Sequence, residues 1–207
     1  MLKKYSIPLF FFLAYLFTWS NWLPQALASR GIATYEPSEA IALLAGYGPA
    51  LAAIIVALLT AGRQGLGELF GRLLRWRVGI QWCGVGLFIP VIALLIAMGL
   101  NAITGGPSPD PSKLEYPFGP QDTSLAIKIV VLFLVFILGF DGLGEELGWR
   151  GFALPKLMET KTPLMASIIL GTLWAVWHFP FARTEGVLLN SVPLIIFVLN
   201  LIASAII

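Results

Sequence analysis

Six apolar runs, parted by short polar stretches, dominate this chain: residues 5–26, 39–62, 82–103, 124–140, 164–181 and 192–207. A helix needs about 20 apolar residues to cross a hydrocarbon core, so each run predicts one spanning helix. The first begins just after Lys3 and Lys4 and carries no convincing small-residue cleavage site, so it reads as a retained first span. An uncleaved signal anchor has the same pattern.

The connectors differ in character. From Arg63 to Arg77, basic residues alternate with Leu66, Leu69, Phe70, Leu73, Leu74 and Trp76 at helical spacing. This predicts a short amphipathic helix along the membrane surface, with Trp76 and Trp82 as interfacial anchors. It is read first as a basic connector that fixes topology, and second as a contact for anionic lipid. Residues 105–123 contain Pro107, Pro109, Pro111, Pro117 and Pro120, which forbid a continuous helix and predict an extra-cytoplasmic loop.

Composition narrows the class. Of 207 residues, 58% are hydrophobic and 12% charged, and mean hydropathy is +0.87, which excludes an ordinary soluble domain. The expected architecture is all-α: a polytopic transmembrane helix bundle of about six spans, forming one membrane-embedded domain over 1–207 without internal repeats. The net charge of +2 suggests neither nucleic acid nor a strongly acidic partner. If the spans alternate, Lys3, Lys4, Arg63, Arg72, Arg75, Arg77, Arg150, Lys156 and Lys161 share one side, opposite Arg30, Lys113 and Arg183. The N-terminus is therefore expected in the cytoplasm of a multi-pass cell-membrane protein. A single cysteine, Cys83, excludes an internal disulfide and reads as a small apolar helix residue.

Chemistry concentrates in the fourth and fifth runs. The segment FILGFDGLGEELGWRGFALPKL contains the adjacent carboxylates Glu145 and Glu146, with Arg150 four residues after the second. On a regular helix Asp141, Glu145 and Trp149 share one face, while Gly142, Glu146 and Arg150 share the next, so Glu146 and Arg150 pair and Glu145 does not. Gly142, Gly144, Gly148 and Gly151 weaken the helix yet let neighbouring backbones approach. A carboxylate in such a crevice has its charged form disfavoured, which moves it toward the proton affinity a general base needs. A solvated acidic cap at the interface is the competing reading.

The only histidine, His178, follows in LMASIILGTLWAVWHFPF. Gly171, Trp174 and His178 form one helical stripe, and Pro180 ends or bends the helix just beyond. A lone histidine is ordinarily a hydrogen-bonded core residue. Here it lies one span after the only carboxylate pair, and ionisable groups inside a membrane are costly enough to suggest function. Counting residues, however, puts Glu145–Arg150 at the cytoplasmic end of the fourth span and His178 near the far end of the fifth.

Glu145-Glu146-Leu-Gly-Trp-Arg150, followed by Gly151-Phe152 and Leu154-Pro155, resembles the EExxxR motif of the CAAX-protease and bacteriocin-processing family, also called the Abi or CPBP intramembrane proteases. Leu173-Trp174-Ala175-Val176-Trp177-His178-Phe179-Pro180 is similar to that family's FxxxH motif, with Trp174 where Phe is usual. The resemblance covers the stretch from the fourth span onward. It implies a membrane endopeptidase acting on a membrane-associated peptide or a lipidated protein, in contact with membrane lipid. Glu145 would activate a water with help from His178, and Glu146 with Arg150 would orient the acidic segment. Zinc is a candidate cofactor: one His and two Glu offer three ligands, short of the nitrogen and sulfur donors zinc prefers.

The family usually adds a later helix with a second histidine and an asparagine four residues on, whereas this sequence stops at Ile207 without one. Truncation before one or two further helices is the expectation. Asn200 is the nearest amide, read first as a structural partner between helices. The alternative from another class is a non-catalytic membrane protein, either an immunity or scaffold relative or a transporter in which Glu145 and His178 relay protons.

Overall fold

The structure, a computed structural model, describes residues 2–38, 41, 44–74, 79–103, 105 and 120–184. The sixth apolar run with Asn200, most of the proline-rich stretch, and Arg75, Trp76 and Arg77 lie outside the described residues, as do the side chains of Trp82, Cys83 and Asp141. Every element among the described residues is helical.

These residues fall into two compact units, residues 1–73 with 136–207 and residues 74–135. In the first, a 3₁₀ turn at Leu2–Tyr5 leads into α1 (Ser6–Ala28). The second helix, α2 (Gly48–Leu73), is broken at Gly62, whose φ of 60° and ψ of −146° suit glycine alone. That break falls where the sequence places the end of the second span and the start of the amphipathic connector. Both helices are long and apolar enough to cross a membrane. Their outer faces expose Phe12, Leu16, Leu51, Leu58 and Leu59, a pattern suited to lipid contact.

The second unit contains α3 (Ile80–Ile103) and α4 (Leu125–Leu132). At 24 residues, α3 measures about 36 Å at the α-helical rise. The fourth apolar run departs from the regular helix expected of it. After Leu132 the chain widens into a π-helical segment, Phe133–Glu146, and a second π turn follows at Trp149–Ala153. Bonds of the i→i+5 type occur mostly as short bulges and often at functional sites. Face assignments based on four-residue steps therefore do not carry through 133–146.

Next come α5 (Leu154–Met158), α6 (Pro163–Trp177) and a last turn α7 (Phe179–Ala182). Pro163 starts α6, where a missing N–H costs nothing, and Thr162 caps it by accepting the Met165 N–H. The fifth run is thus helical, but its helix stops one residue before His178.

The core of the first unit forms where α1 meets α2, the acidic segment and α6. Gly48 sits so close to α1 that a Cβ there would lie 2.1 Å from Thr18 Oγ1, an approach only glycine allows. Around Trp149, which is fully buried, aromatic rings pack at offset angles: Phe10 at 5.5 Å, Phe11 at 5.9 Å and Trp177 at 5.5 Å between centroids. Polar tips join α1 to α6 across this core. Tyr15 donates to the Leu173 carbonyl at 2.6 Å and Trp19 Nε1 to the Trp177 carbonyl at 2.9 Å.

Candidate active site

Packing determines where the acidic segment lies. Leu147, Gly148, Trp149, Phe152 and Ala153 are all buried, so the segment bearing the two glutamates belongs to the interior rather than to a solvated cap. Gly148 presses against the Pro49 backbone, and Gly144 faces the Gly46 carbonyl. These glycines permit the close approach that the sequence suggested for them.

Glu145 and His178 meet there. Glu145 Oε1 lies 3.8 Å from His178 Nε2, with side chains only 13% and 14% exposed respectively. Residue counting had set the two at opposite depths, and the structure corrects that expectation. Depth along a regular helix is the wrong ruler for a π-wound segment drawn into the core beside a helix that breaks at the histidine.

The imidazole is oriented by its own helix. His178 Nδ1 is 3.1 Å from the Trp174 carbonyl, which only accepts, so this contact is a hydrogen bond when Nδ1 carries the proton. In that tautomer the Nε2 lone pair points toward the carboxylate. Trp177, Trp22 and Trp174 surround the ring at 4.6, 6.0 and 6.0 Å, and Pro180, which has no N–H, follows in the turn beyond.

The carboxylate has a second anchor that sequence reasoning missed. Trp174 Nε1 donates to Glu145 Oε2 at 2.7 Å. The sequence places Trp174 on one stripe with Gly171 and His178 and where the motif usually has Phe; the available signal was that, unlike Phe, an indole offers a donor one turn before the histidine. Arg150 stacks over the Trp174 ring at 5.4 Å and pairs with Glu146, as the four-residue spacing predicts. Both members of that pair are about one-third exposed. Behind the segment, Arg72 of α2 donates to the Gly151 carbonyl at 2.8 Å. This tie to the acidic segment was also unforeseen.

The donor set for a metal is thin. Among the described residues no group of three His, Cys, Asp or Glu side chains is arranged to hold one. Glu145 and His178 supply two donors and Glu146 is engaged by Arg150, whereas catalytic zinc sites take three protein ligands. These residues do not themselves fit a zinc ion.

Fold and site together define a protein whose described residues are all helical, with two helices long and apolar enough to cross a membrane and an acid–imidazole pair packed in the core. Residues 127–207 match the family model described as type II CAAX prenyl endopeptidase, Rce1-like. The chain is also similar to CAAX prenyl protease 2 of Methanococcus maripaludis, 26% identical over 182 residues, which cover 86% of this chain and 63% of that protein. The chain thus spans somewhat under two thirds of the length of that relative. The resemblance drawn from the two motifs holds, and the stretch bearing both motifs is the stretch that matches the family.

Proposed function

We propose that this chain is the catalytic part of an intramembrane endopeptidase that cleaves a peptide bond in a membrane-associated substrate such as a prenylated C-terminus. The observation that carries this reading is the 3.8 Å separation of Glu145 and His178 within the core. That gap is too long for a direct hydrogen bond and suits one bridging water, which would sit about 2.8 Å from both groups. Such a water would donate one hydrogen to Glu145 Oε1 and the other to His178 Nε2, leaving an oxygen lone pair aimed outward.

As that oxygen attacks a peptide carbonyl, Glu145 takes its proton as general base and later returns it to the leaving amine. His178, held by the Trp174 carbonyl, fixes the direction of attack. Trp174 Nε1 keeps the carboxylate from swinging away, and the Glu146–Arg150 pair steadies the turn that carries it. In this reading the helices form one membrane-embedded domain of about six spans with a cytoplasmic N-terminus. The support for that arrangement is the lysine and arginine bias of the connectors.

The test is cleavage of a fluorogenic prenylated peptide by protein purified from membranes. Glu145→Ala and His178→Ala should each remove activity while membrane insertion and thermal unfolding stay near parental. A Glu145→Ala protein that turned over at the parental rate would refute the assignment.

A further inference from the structure

A second polar site lies apart from the acid–imidazole pair. It is a cavity of about 220 Å³ among the N-terminal turn, α2 and α5, with Lys3, Ser6, Gln64, Glu68, Arg72 and Lys156 on its wall. Leu69 and Phe152, both buried, close its base. The volume is several times the roughly 30 Å³ that one water occupies in the liquid. A phosphate with part of a glycerol fits such a space.

The lining carries three cations, Lys3, Arg72 and Lys156, against one carboxylate, Glu68. Lys156 also pairs with exposed Glu159 at 2.7 Å, and counting that residue the cations still outnumber the acids. Glu68 accepts a hydrogen bond from Gln64 Nε2 at 3.1 Å. Arg72 spends one of its five N–H donors on the Gly151 carbonyl. That bond holds in place a guanidinium that lines the cavity. A fixed guanidinium flanked by two ammonium groups suits a tetrahedral oxyanion.

Placement in the fold points the same way. The lining comes from the first residues of α1 and from the part of α2 around and beyond the Gly62 break. This is one end of both long apolar helices, at the depth of lipid headgroups when those helices cross a bilayer.

We propose that this cavity binds a phosphate ester of net negative charge, held by Lys3, Arg72 and Lys156, with the apolar base facing the ester's carbon skeleton. The chemistry is shared by an anionic phospholipid headgroup and a soluble phosphate, and it requires nothing of the proteolytic reading. Through Arg72 and the Gly151 carbonyl, occupancy would bear on the acidic segment.

The experiment is thermal unfolding of the full chain in uncharged detergent, titrated separately with phosphatidylglycerol, phosphatidylcholine and glycerol 3-phosphate. Phosphatidylglycerol should raise the unfolding midpoint saturably. The rise should be lost in the Lys3→Gln/Lys156→Gln double variant and in Arg72→Gln, and kept in Arg63→Gln, whose cation is outside the cavity. The double variant leaves the Arg72–Gly151 bond intact, so it decides the matter should Arg72→Gln fail to fold. Saturable stabilisation by glycerol 3-phosphate as well would identify the phosphate as sufficient, and stabilisation by phosphatidylglycerol alone would assign the site to lipid. No shift with either anionic ligand, an equal shift with zwitterionic phosphatidylcholine, or an equal loss in Arg63→Gln would overturn the proposal.

Discussion

Gly148→Ala sets two opposing effects against each other. In an unconstrained helix the change gains about 1 kcal/mol of propensity. Here the new Cβ would stand 2.5 Å from Pro49 Cβ and 2.6 Å from the Pro49 carbonyl carbon and oxygen. To reach an ordinary 3.4 Å contact, the acidic segment and α2 must part by about 0.9 Å, an overpacking that costs about 1–3 kcal/mol. Since the obstacle is backbone and a proline ring, no side-chain rotation relieves it, and the clash should win. The displacement is carried three residues from Glu145, where a misplacement of about 1 Å can cost roughly 100-fold in rate. Thermal unfolding and peptide cleavage are to be measured on the same preparation, with Gly67→Ala as control, because a Cβ at Gly67 meets nothing within 4 Å. The control should be as stable as the parent or more so, and fully active. Gly148→Ala should unfold at lower temperature and lose most of its activity. A Gly148→Ala protein stabilised like the control and equally active would refute the close packing of the acidic segment on α2.

Other outcomes follow from the same contacts. Tyr15→Phe loses only the hydroxyl that donates to the Leu173 carbonyl and should destabilise by about 0.5–1.5 kcal/mol in denaturation. Trp177→Ala empties a fully buried site beside Trp149 and His178 and should cost about 3–5 kcal/mol, with a clear loss of folded protein on size-exclusion chromatography. Arg150→Gln removes a pair that is one-third exposed, so its effect on unfolding should stay below about 1 kcal/mol while cleavage falls by a larger factor. Equal losses of stability and activity in that variant would contradict an orienting role.

Much of the candidate site's geometry was legible because so apolar a sequence leaves few ionisable groups to choose among. A lone histidine one span after a carboxylate pair narrows the candidates without any structure, and the four-residue step from Glu146 to Arg150 is a local rule that survived. The break in α2 at Gly62 also falls where the sequence ends its second apolar run, in a backbone conformation that suits glycine. What failed was depth. Counting residues assumes a constant rise, and the widened turns of 133–146 break that assumption. The contacts of Trp174 with Glu145, Tyr15 with Leu173 and Arg72 with Gly151 were hidden for a different reason. They join positions 29, 158 and 79 residues apart, and periodicity carries no information about which polar tip meets which carbonyl.

The most direct measurement is a double-mutant cycle on peptide cleavage with Glu145→Gln, His178→Gln and the pair together, since these variants keep approximate volume and remove the proton chemistry. Groups that act on one shared water form a unit, so each single variant should lose nearly all of kcat/KM and the double should lose scarcely more. Fold losses that multiply, or a single variant with parental turnover, would show that the carboxylate and the imidazole do not work together.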